Sequence, residues 1–369
     1  MKFSCNRESF SRLFFLAASV ASVRDIKAIL QNVKIVLQND KLILLATDND
    51  MSIRLELSEN INIQEPGEAI LPTILFRKIL QESFDKELTI ESNSEQTIVS
   101  GERSCYQLPT QSASEFPEIL PFNAQSYYSV SSSILKQIIR RTCFAIETES
   151  SRYSLSGVLI ELKENSVIAV ATDGRRLACQ EGTADFIHTE DESLETNSIF
   201  PVRTLNLIEK SINEAEKVDI AIDNNCVSLK IGSTVIHSRL QEGHFPRWRG
   251  IIPSEDNKSK VDIIAGQLLS GVRQAEVVTI DKEPGVNFKF SDGILVIFAS
   301  GAESGESRIE IPIAFSSEPI QIRMNARFII DFLRELEAEK IISIYFNENS
   351  PILFKTDDQY SYVVMPLNL

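Results

Sequence analysis

The sequence is poor in the residues and motifs from which most catalytic and metal sites are built. It has three histidines in 369 residues, and none stands in a His-Glu-x-x-His or similar metal-binding spacing. Its five cysteines are widely spaced with no Cys-x-x-Cys pair, which favours reduced, mostly buried thiols over disulfides or a zinc site. The glycine-rich phosphate loops and the Gly-x-Ser-x-Gly nucleophile motif are also missing. We therefore predict no catalytic residue, no metal and no cofactor.

Positive charge and long apolar runs are scarce as well. Lys and Arg number 37 against 52 Asp and Glu, which gives a formal net charge of −15. Composition alone thus argues against a nucleic-acid-binding protein, because a polyanion is recognised through clustered Lys and Arg, although local clustering can override the total. No apolar run reaches the ~18 residues that a membrane span needs. We predict a cytoplasmic protein with no membrane partner.

A short hairpin motif recurs along the chain. In Val170–Ala178, the pair Asp173-Gly174 separates two apolar runs, a pattern typical of a tight β-hairpin because Gly accepts a positive φ. The related run Ala46–Asp50 lies 125 residues earlier (171 − 46), and a degenerate copy at Leu295–Gly301 lies 128 residues later (299 − 171). A catalytic Asp173 is the alternative interpretation, but Asp-Gly is favoured in turns for its own backbone chemistry.

A helical pattern lies on each side of every copy of this motif. The upstream patterns are Phe10–Val23, Ile134–Ile146 and Leu268–Ile280, and the downstream ones are Ile74–Phe84, Thr204–Ala215 and Ala326–Glu337. We expect Ser9 to be the N-cap of the first helix. The repeat predicts three similar modules, with boundaries at 1–125, 126–255 and 256–369, each large enough for its own core. Many strands and two helices per module indicate an α+β fold, with two helices packed on antiparallel sheet.

The predicted helices carry basic faces that run against the net charge. Lys136 and Arg140 are four residues apart, and Arg203 and Lys210 are seven apart, so each pair shares one helix face. For a single helix, a solvated surface explains such a pair, but basic residues recur on nearly every helix. The full set is Arg24, Arg77, Lys136, Arg140, Arg141, Arg203, Lys210, Arg273, Arg327 and Arg334.

Taken together, several of these segments resemble the bacterial DNA polymerase III beta subunit family, the sliding clamps. The likeness covers the whole chain and is carried by Val170–Ala178, Phe245-Pro246 and the terminal run Tyr362–Leu367, with Arg152-Tyr153 and Leu155–Gly157 in support. The resemblance implies a head-to-tail homodimer forming a ring of six similar domains around duplex DNA. It also implies a non-catalytic processivity factor that tethers the replicative polymerase and binds the clamp loader and repair proteins through short hydrophobic peptide motifs.

The resemblance also implies three sets of site residues. The peptide groove would be lined by Leu155, Thr172, Gly174, Arg175, Arg176, Leu177, Pro246, Val363, Val364, Met365, Pro366 and Leu369. The basic helix residues named above would face the DNA. The dimer contact would join Arg103, Tyr106 and Leu108 of one copy to Val277, Val278, Glu303 and Glu306 of the other. Gly250 and Asn368 depart from the basic residues common in the family, which predicts a less basic rim of the groove.

Two other classes of function stay open at this point. One is a soluble α+β enzyme with a cleft near Asp173, and the other is a repeat-built scaffold with no role on DNA. A monomeric mass in solution, or no affinity for clamp-binding peptides, would favour either of them over a clamp.

Overall fold

The computed structural model describes residues 1–21, 27–38, 40–147, 155–163, 165–188, 196–212, 216–256, 258–280, 284–301, 304–348 and 350–367. Within these ranges the chain forms six α-helices and 26 β-strands. The first module contains β1 (Lys2–Asn6), α1 (Arg7–Ala18), β2 (Asn32–Gln38), β3 (Lys41–Thr47), β4 (Met51–Leu57), β5 (Ile61–Glu65), β6 (Gly67–Pro72), α2 (Thr73–Glu82), β7 (Glu87–Ser92), β8 (Gln96–Ser100) and β9 (Cys105–Pro109).

The second module repeats this order of elements, and the third has four strands instead of five between its two helices. The second contains β10 (Tyr127–Ser131), α3 (Ser132–Cys143), β11 (Gly157–Lys163), β12 (Ser166–Thr172), β13 (Arg176–Thr183), β14 (Asp185–Ile187), β15 (Thr196–Pro201), α4 (Val202–Ser211), β16 (Lys217–Asp223), β17 (Cys226–Ile231) and β18 (Thr234–Arg239). The third contains β19 (Ser259–Ile264), α5 (Ala265–Glu276), β20 (Gly285–Ser291), β21 (Ile294–Gly301), β22 (Gly305–Pro312), β23 (Ile320–Asn325), α6 (Ala326–Arg334), β24 (Ile341–Phe346), β25 (Ile352–Lys355) and β26 (Tyr360–Val364).

The sheet topology confirms the three-module repeat and the α+β class. Each module has one strand set with the same internal order, namely β6-β2-β3-β4, β15-β11-β12-β13 and β23-β20-β21-β22. Its other set is β1-β7-β8-β9, β10-β16-β17-β18 or β19-β24-β25-β26. The pairings within both sets are antiparallel. The boundaries 1–125, 126–255 and 256–369 stay a prediction.

The chain divides into two compact units, of which the first comprises Met1–Ser133, Asp185–Ser193 and Arg203–Leu240. It contains the five-stranded sheet β5-β1-β7-β8-β9 and a nine-stranded sheet in which β18 pairs with β4. An aromatic cluster fills the core between α1 and α2. The ring centroid of Phe76 lies 5.9 Å from that of Phe10 and 4.8 Å from that of Phe14. Burial of large rings at this spacing is a main source of core stability.

The second unit comprises Ile134–Ala184, Leu194–Val202 and Gln241–Leu369. It contains the eight-stranded sheet β15-β11-β12-β13-β26-β25-β24-β19 and the four-stranded sheet β22-β21-β20-β23. On the α6 side of the larger sheet, the ring of Phe332 stacks on that of Tyr362 at 4.7 Å and lies 5.2 Å from that of Tyr360. The C-terminal strand β26 lies between β13 and β25 in the sheet, and its Val363 packs into a buried cluster with Trp248.

One local prediction at the start of the chain is wrong. The N-cap of α1 is Asn6, not Ser9, and the Asn6 Oδ1 atom accepts a hydrogen bond from the backbone N of Ser9 at 3.1 Å. Asn is as good a cap as Ser, so sequence preference alone could not choose between them. The predicted helix ends Val23 and Ala215 lie outside the described residues.

Candidate peptide-binding groove and charged faces

The hairpin between β12 and β13 is built by its own side chains. The Oδ1 atom of Asp173 accepts hydrogen bonds from the backbone N of Arg175 at 2.8 Å and of Arg176 at 3.0 Å. The Thr172 hydroxyl accepts from the N of Gly174 at 3.0 Å, and Gly174 has φ +85°. The turn interpretation of Asp173 is confirmed, because its carboxylate is used to close the hairpin.

The first copy of the motif closes its turn in the same way. The Oδ1 atom of Asp48 accepts from the N of Asp50 and of Met51, each at 2.8 Å. The Thr47 hydroxyl donates to the carbonyl of Met51 at 3.0 Å, as the Thr172 hydroxyl donates to the carbonyl of Arg176 at 2.6 Å. Shared turn chemistry explains why the sequence repeat is visible here.

The C-terminal strand lies directly beside this hairpin. In the antiparallel pair of β13 and β26, Leu177 is opposite Val363, and the backbone N of Met365 donates to the carbonyl of Arg175 at 2.9 Å. Leu177 and Val363 belong to one buried cluster with Trp248, while the Met365 side chain is 45 % exposed. An exposed methionine above a buried aliphatic floor is a surface able to adapt to apolar side chains.

Arg176 lies on the opposite face of β13 from Leu177, and its side chain is only 10 % exposed. Its guanidinium donates to Asp331 Oδ2 at 2.7 Å, to Asp173 Oδ2 at 2.9 Å and to the carbonyl of Phe144 at 2.7 Å. Burial by itself would lower the pKa of this group, but the Tyr362 hydroxyl and the two carboxylates outweigh it and raise the pKa. Arg176 therefore holds the hairpin from beneath, instead of presenting its charge at a groove surface.

The segment after Pro246 is fixed by a buried carboxylate. Glu161 accepts from Trp248 Nε1 at 2.8 Å, from Arg249 Nη1 at 3.1 Å and from Arg249 Nη2 at 2.6 Å. Burial alone would raise the pKa of Glu161, but the hydrogen bonds from Arg249 and Trp248 hold it below its ordinary value. The Arg249 guanidinium also lies 4.2 Å from the centroid of the Trp248 ring. Sequence reasoning missed Trp248, although it is the only tryptophan in the chain.

The predicted groove residues differ in how they meet the solvent. Gly174, Arg175 and Met365 are exposed, and Pro246 and Pro366 are half-buried. The buried members of the set are Leu155, Thr172, Leu177, Val363 and Val364. The predicted residue Leu369 and the departure at Asn368 lie outside the described residues, as do Arg152 and Tyr153. The geometry is that of a short exposed strip over an apolar floor.

Three family models match the chain in order along its length. They describe the DNA polymerase III beta subunit, with its N-terminal domain matched at residues 1–121, its central domain at 129–247 and its C-terminal domain at 249–368. The chain belongs to the DNA polymerase III beta subunit family. As a beta subunit, it is a sliding clamp and a non-catalytic accessory subunit of DNA polymerase III that serves as a processivity factor. An enzyme with a cleft near Asp173 is not favoured.

Relatives and solved structures agree over the full length of this beta subunit. The beta sliding clamp of Chlamydia muridarum (strain MoPn / Nigg) is 26% identical, with 100% of this chain and 99% of that protein covered. That of Pseudomonas putida (strain KT2440) is 27% identical, with both covered at 100%. The Bacillus subtilis clamp structure superposes with a TM-score of 0.91 at 24% identity, covering 100% of this chain and 99% of that one. A Pseudomonas aeruginosa clamp bound to griselimycin superposes at 0.90 with 26% identity, both chains covered at 100%.

Within each unit of this beta subunit, basic helix residues gather around a surface pocket. In the first unit, Arg77 and Lys210 line a pocket of about 820 Å³ together with Arg12. In the second, Arg273, Arg327 and Arg334 line a pocket of about 510 Å³. Among the other predicted basic residues, Arg140 and Arg203 are exposed, Lys136 is half-buried and Arg24 lies outside the described residues. The Nη2 atom of Arg203 lies 2.8 Å from Asp48 Oδ2.

Arg141 is the exception to the exposed basic faces. Its side chain is buried, and its Nη1 atom donates to Gln180 Oε1 at 2.8 Å and to Asp358 Oδ2 at 2.9 Å. Burial would raise the pKa of Asp358, but hydrogen bonds from Thr356 and Arg141 lower it. Placing Arg141 on a DNA-facing surface was therefore wrong, because its charge is already matched inside the protein.

The predicted dimer residues lie at or near two sheet edges that have no partner strand in the described chain. Arg103 precedes β9, which carries Tyr106 and Leu108 and ends the five-stranded sheet, while β22 carries Glu306 and ends the four-stranded sheet. Leu108 is buried and Val277 is 79 % exposed, whereas Glu303 lies outside the described residues. Sequence reasoning missed Phe84, which follows α2 and is 99 % exposed.

The remaining composition-based expectations concern thiols, metals and membranes. None of the five cysteines is in a disulfide; Cys5 and Cys179 are buried, and burial raises the pKa of each to about 12. The expectation of mostly buried thiols was wrong for Cys105 and Cys226, which are exposed. Among the described residues there is no group of three or more His, Cys, Asp or Glu placed to hold a metal ion. None of the helices described is long and apolar enough to cross a membrane.

Proposed function

We propose that this beta subunit encircles duplex DNA as a head-to-tail homodimer and tethers its partners through the strip beside β26. The partners are the replicative polymerase, the clamp loader and repair proteins, each contributing a short peptide with apolar anchors. The observation that carries the groove is the pairing of β13 with β26, which sets exposed Met365 beside Arg175 and above buried Leu177. Fully desolvated anchors in such a pocket supply most of the affinity of a peptide complex.

Truncating Met365 tests the groove directly. We expect Met365→Ala to weaken a labelled Gln-Leu-x-Leu-Phe peptide about tenfold, because the peptide loses the apolar contact that closes over its anchors. Fluorescence anisotropy gives the dissociation constants. Ile187→Ala is the matched control, since Ile187 is 42 % exposed against 45 % for Met365 and lies on β14. Equal affinity of the Met365 variant and wild type would contradict this groove.

Gly250 offers a gain-of-affinity test on the rim. A Cβ atom built on Gly250 meets no other atom within 4 Å, so a longer side chain fits without strain. We expect Gly250→Arg to leave the fold intact and to increase the affinity for an acidic clamp-binding peptide about threefold at low salt. The gain is small because an exposed charge pair contributes little free energy. Gly250→Gln controls for side-chain size. The same gain in both variants, or a gain that persists at high salt, would show that charge is not its cause.

The basic pockets support the DNA-facing part of the proposal. The pocket of the first unit holds Arg12, Arg77 and Lys210 against one carboxylate, Glu59. That of the second holds Arg273, Arg327 and Arg334 against Glu276 and Asp331, so both keep a net positive charge on a protein of net charge −15. A ring held on DNA by topology needs only weak, salt-sensitive phosphate contacts, whereas the acidic remainder repels other DNA. Lys136, Arg140 and Arg203 complete the proposed set, and Arg24 stays in it as a prediction.

The free sheet edges support the head-to-tail dimer. Within the chain, β18 pairs with β4 and β26 pairs with β13, which joins consecutive modules through the last strand of one sheet set. By the same repeat, β9 of one copy would pair with β22 of the other. Two such contacts in the dimer would close a ring and leave neither β9 nor β22 without a partner strand. Phe84 and Val277 supply exposed apolar area beside these edges.

We also propose the domain boundaries 1–125, 126–255 and 256–369 and a cytoplasmic location. The matched family segments 1–121, 129–247 and 249–368 support the boundaries to within about ten residues at each junction.

A further inference from the structure

Another pocket lies on the same sheet face as the groove floor. We call it the Trp248 pocket; its volume is about 410 Å³, and it lies wholly within the second unit. Leu159, Ile199 and Trp248 supply its apolar wall, and all three are buried in the cluster that also contains Leu177 and Val363. Pro246, a proposed groove residue, lines the pocket as well. The pocket and the proposed groove thus meet at Pro246.

The wall of the Trp248 pocket is held rigid without any ligand. Glu161 is buried, and its two carboxylate oxygens are occupied by Trp248 Nε1 and the Arg249 guanidinium. Arg249 in turn lies against the face of the Trp248 ring. The charge of Glu161 is therefore neutralised, and the Trp248 ring is held in one orientation in the pocket wall.

The rim of the pocket carries one arginine whose charge the described chain does not match. Arg247 lines the pocket and is exposed, and its side chain has no hydrogen-bond or ion-pair partner among the described residues. The chain has a net charge of −15, so an unmatched guanidinium beside an apolar wall is a local site of positive charge on an acidic protein. Its complement is a carboxylate next to a large apolar side chain.

We propose that the Trp248 pocket receives an acidic residue and an adjacent aromatic residue that flank the clamp-binding motif of a partner protein. The aromatic ring packs against Trp248 and Ile199, and the carboxylate pairs with Arg247. This inference rests on the proposed function of the groove, because one peptide occupies both sites. The Trp248 pocket would then help to determine which partner binds most tightly, since it distinguishes partners that share the core motif by the residues flanking that motif.

The first test compares peptides that differ only in the flank. The Gln-Leu-x-Leu-Phe core is extended at either end, through two glycines, by Asp-Phe or by Lys-Phe. We expect one of the two Asp-Phe peptides to bind about tenfold more tightly than the core, and the matching Lys-Phe peptide to gain nothing. Arg247→Glu should remove the gain without changing core affinity. Lys289→Glu, the same charge change at an exposed site on β20, should keep it.

The second test reads the pocket independently of the groove. Trp248 is the only tryptophan, so its fluorescence reports this site alone. Acetyl-Asp-Phe-amide should change the emission saturably in wild type and in Met365→Ala, but not in Arg247→Glu. No fluorescence change, together with equal affinity of core and Asp-Phe peptides, would overturn the pocket. Failure of the core peptide to bind, with the Trp248 titration intact, would overturn the groove and leave the pocket standing.

Discussion

Replacing Arg176 with methionine is expected to lower the free energy of unfolding by about 3–5 kcal/mol. The change keeps most of the side-chain volume but leaves the carboxylates of Asp173 and Asp331 without the guanidinium that both now contact. The Arg176 and Asp173 side chains are only 10 % and 13 % exposed, so removing the guanidinium leaves a largely desolvated carboxylate without its partner. Urea unfolding followed by circular dichroism measures the difference.

The neighbouring arginine provides the control for this prediction. Arg175 is exposed on the same hairpin, so Arg175→Met should change stability by no more than about 0.5 kcal/mol. A loss of stability equal in the two variants would contradict the role assigned to Arg176. Peptide binding should also fall in the Arg176 variant, since Asp173 and Arg176 together fix the hairpin that bears Gly174 and Leu177.

Replacing Val277 with aspartate is expected to convert the proposed dimer into a monomer. Val277 is 79 % exposed in the single chain. In the proposed dimer interface this apolar side chain would be buried. A carboxylate placed there would have to be desolvated in both interfaces of a head-to-tail ring. We expect the dimer dissociation constant to rise about a thousandfold or more, measured by analytical ultracentrifugation.

The consequence for DNA separates a ring from an ordinary binder. Wild type loaded by its clamp loader should stay on nicked circular DNA and slide off when the circle is linearised, while the Val277 variant should be retained on neither. Ile341→Asp is the matched control, because Ile341 is 60 % exposed on β24, which belongs to the eight-stranded sheet and to neither of the sheets that end in β9 and β22. A wild-type protein that is monomeric at micromolar concentration, or equal retention on both DNA forms, would contradict the ring.

Local chemistry explains what could be read from the sequence. Asp173 and Asp48 close their turns through neighbours two and three residues away, so the turn and its recurrence are encoded in a few adjacent positions. Helix periodicity likewise predicted α1 to α6, with differences only at their ends. The choice of Asn6 over Ser9 as a cap failed because both residues satisfy the same local rule.

Whether an individual arginine is exposed or buried could not be predicted from such local patterns. Arg140 and Arg141 are adjacent in sequence, yet one is exposed and the other is buried against Asp358, which lies 217 residues further along the chain. The same holds for Arg175 and Arg176, since only Arg176 reaches Asp331. The Trp248 pocket depends on Glu161, 87 residues before Trp248. No local pattern marks a partner at such a distance.

The threefold repeat, the α+β class, the Asp-Gly hairpin and the position of the C-terminal strand could all be predicted from the sequence, because short-range turn chemistry and side-chain periodicity suffice for each. The folded structure was needed to show which arginines are surface charges, which sheet edges lack a partner strand in the described chain, and that Trp248 and Glu161 build a pocket beside the groove. Those features arise from contacts between distant residues, whose free energy is set by burial and by the pairing of charges inside the fold.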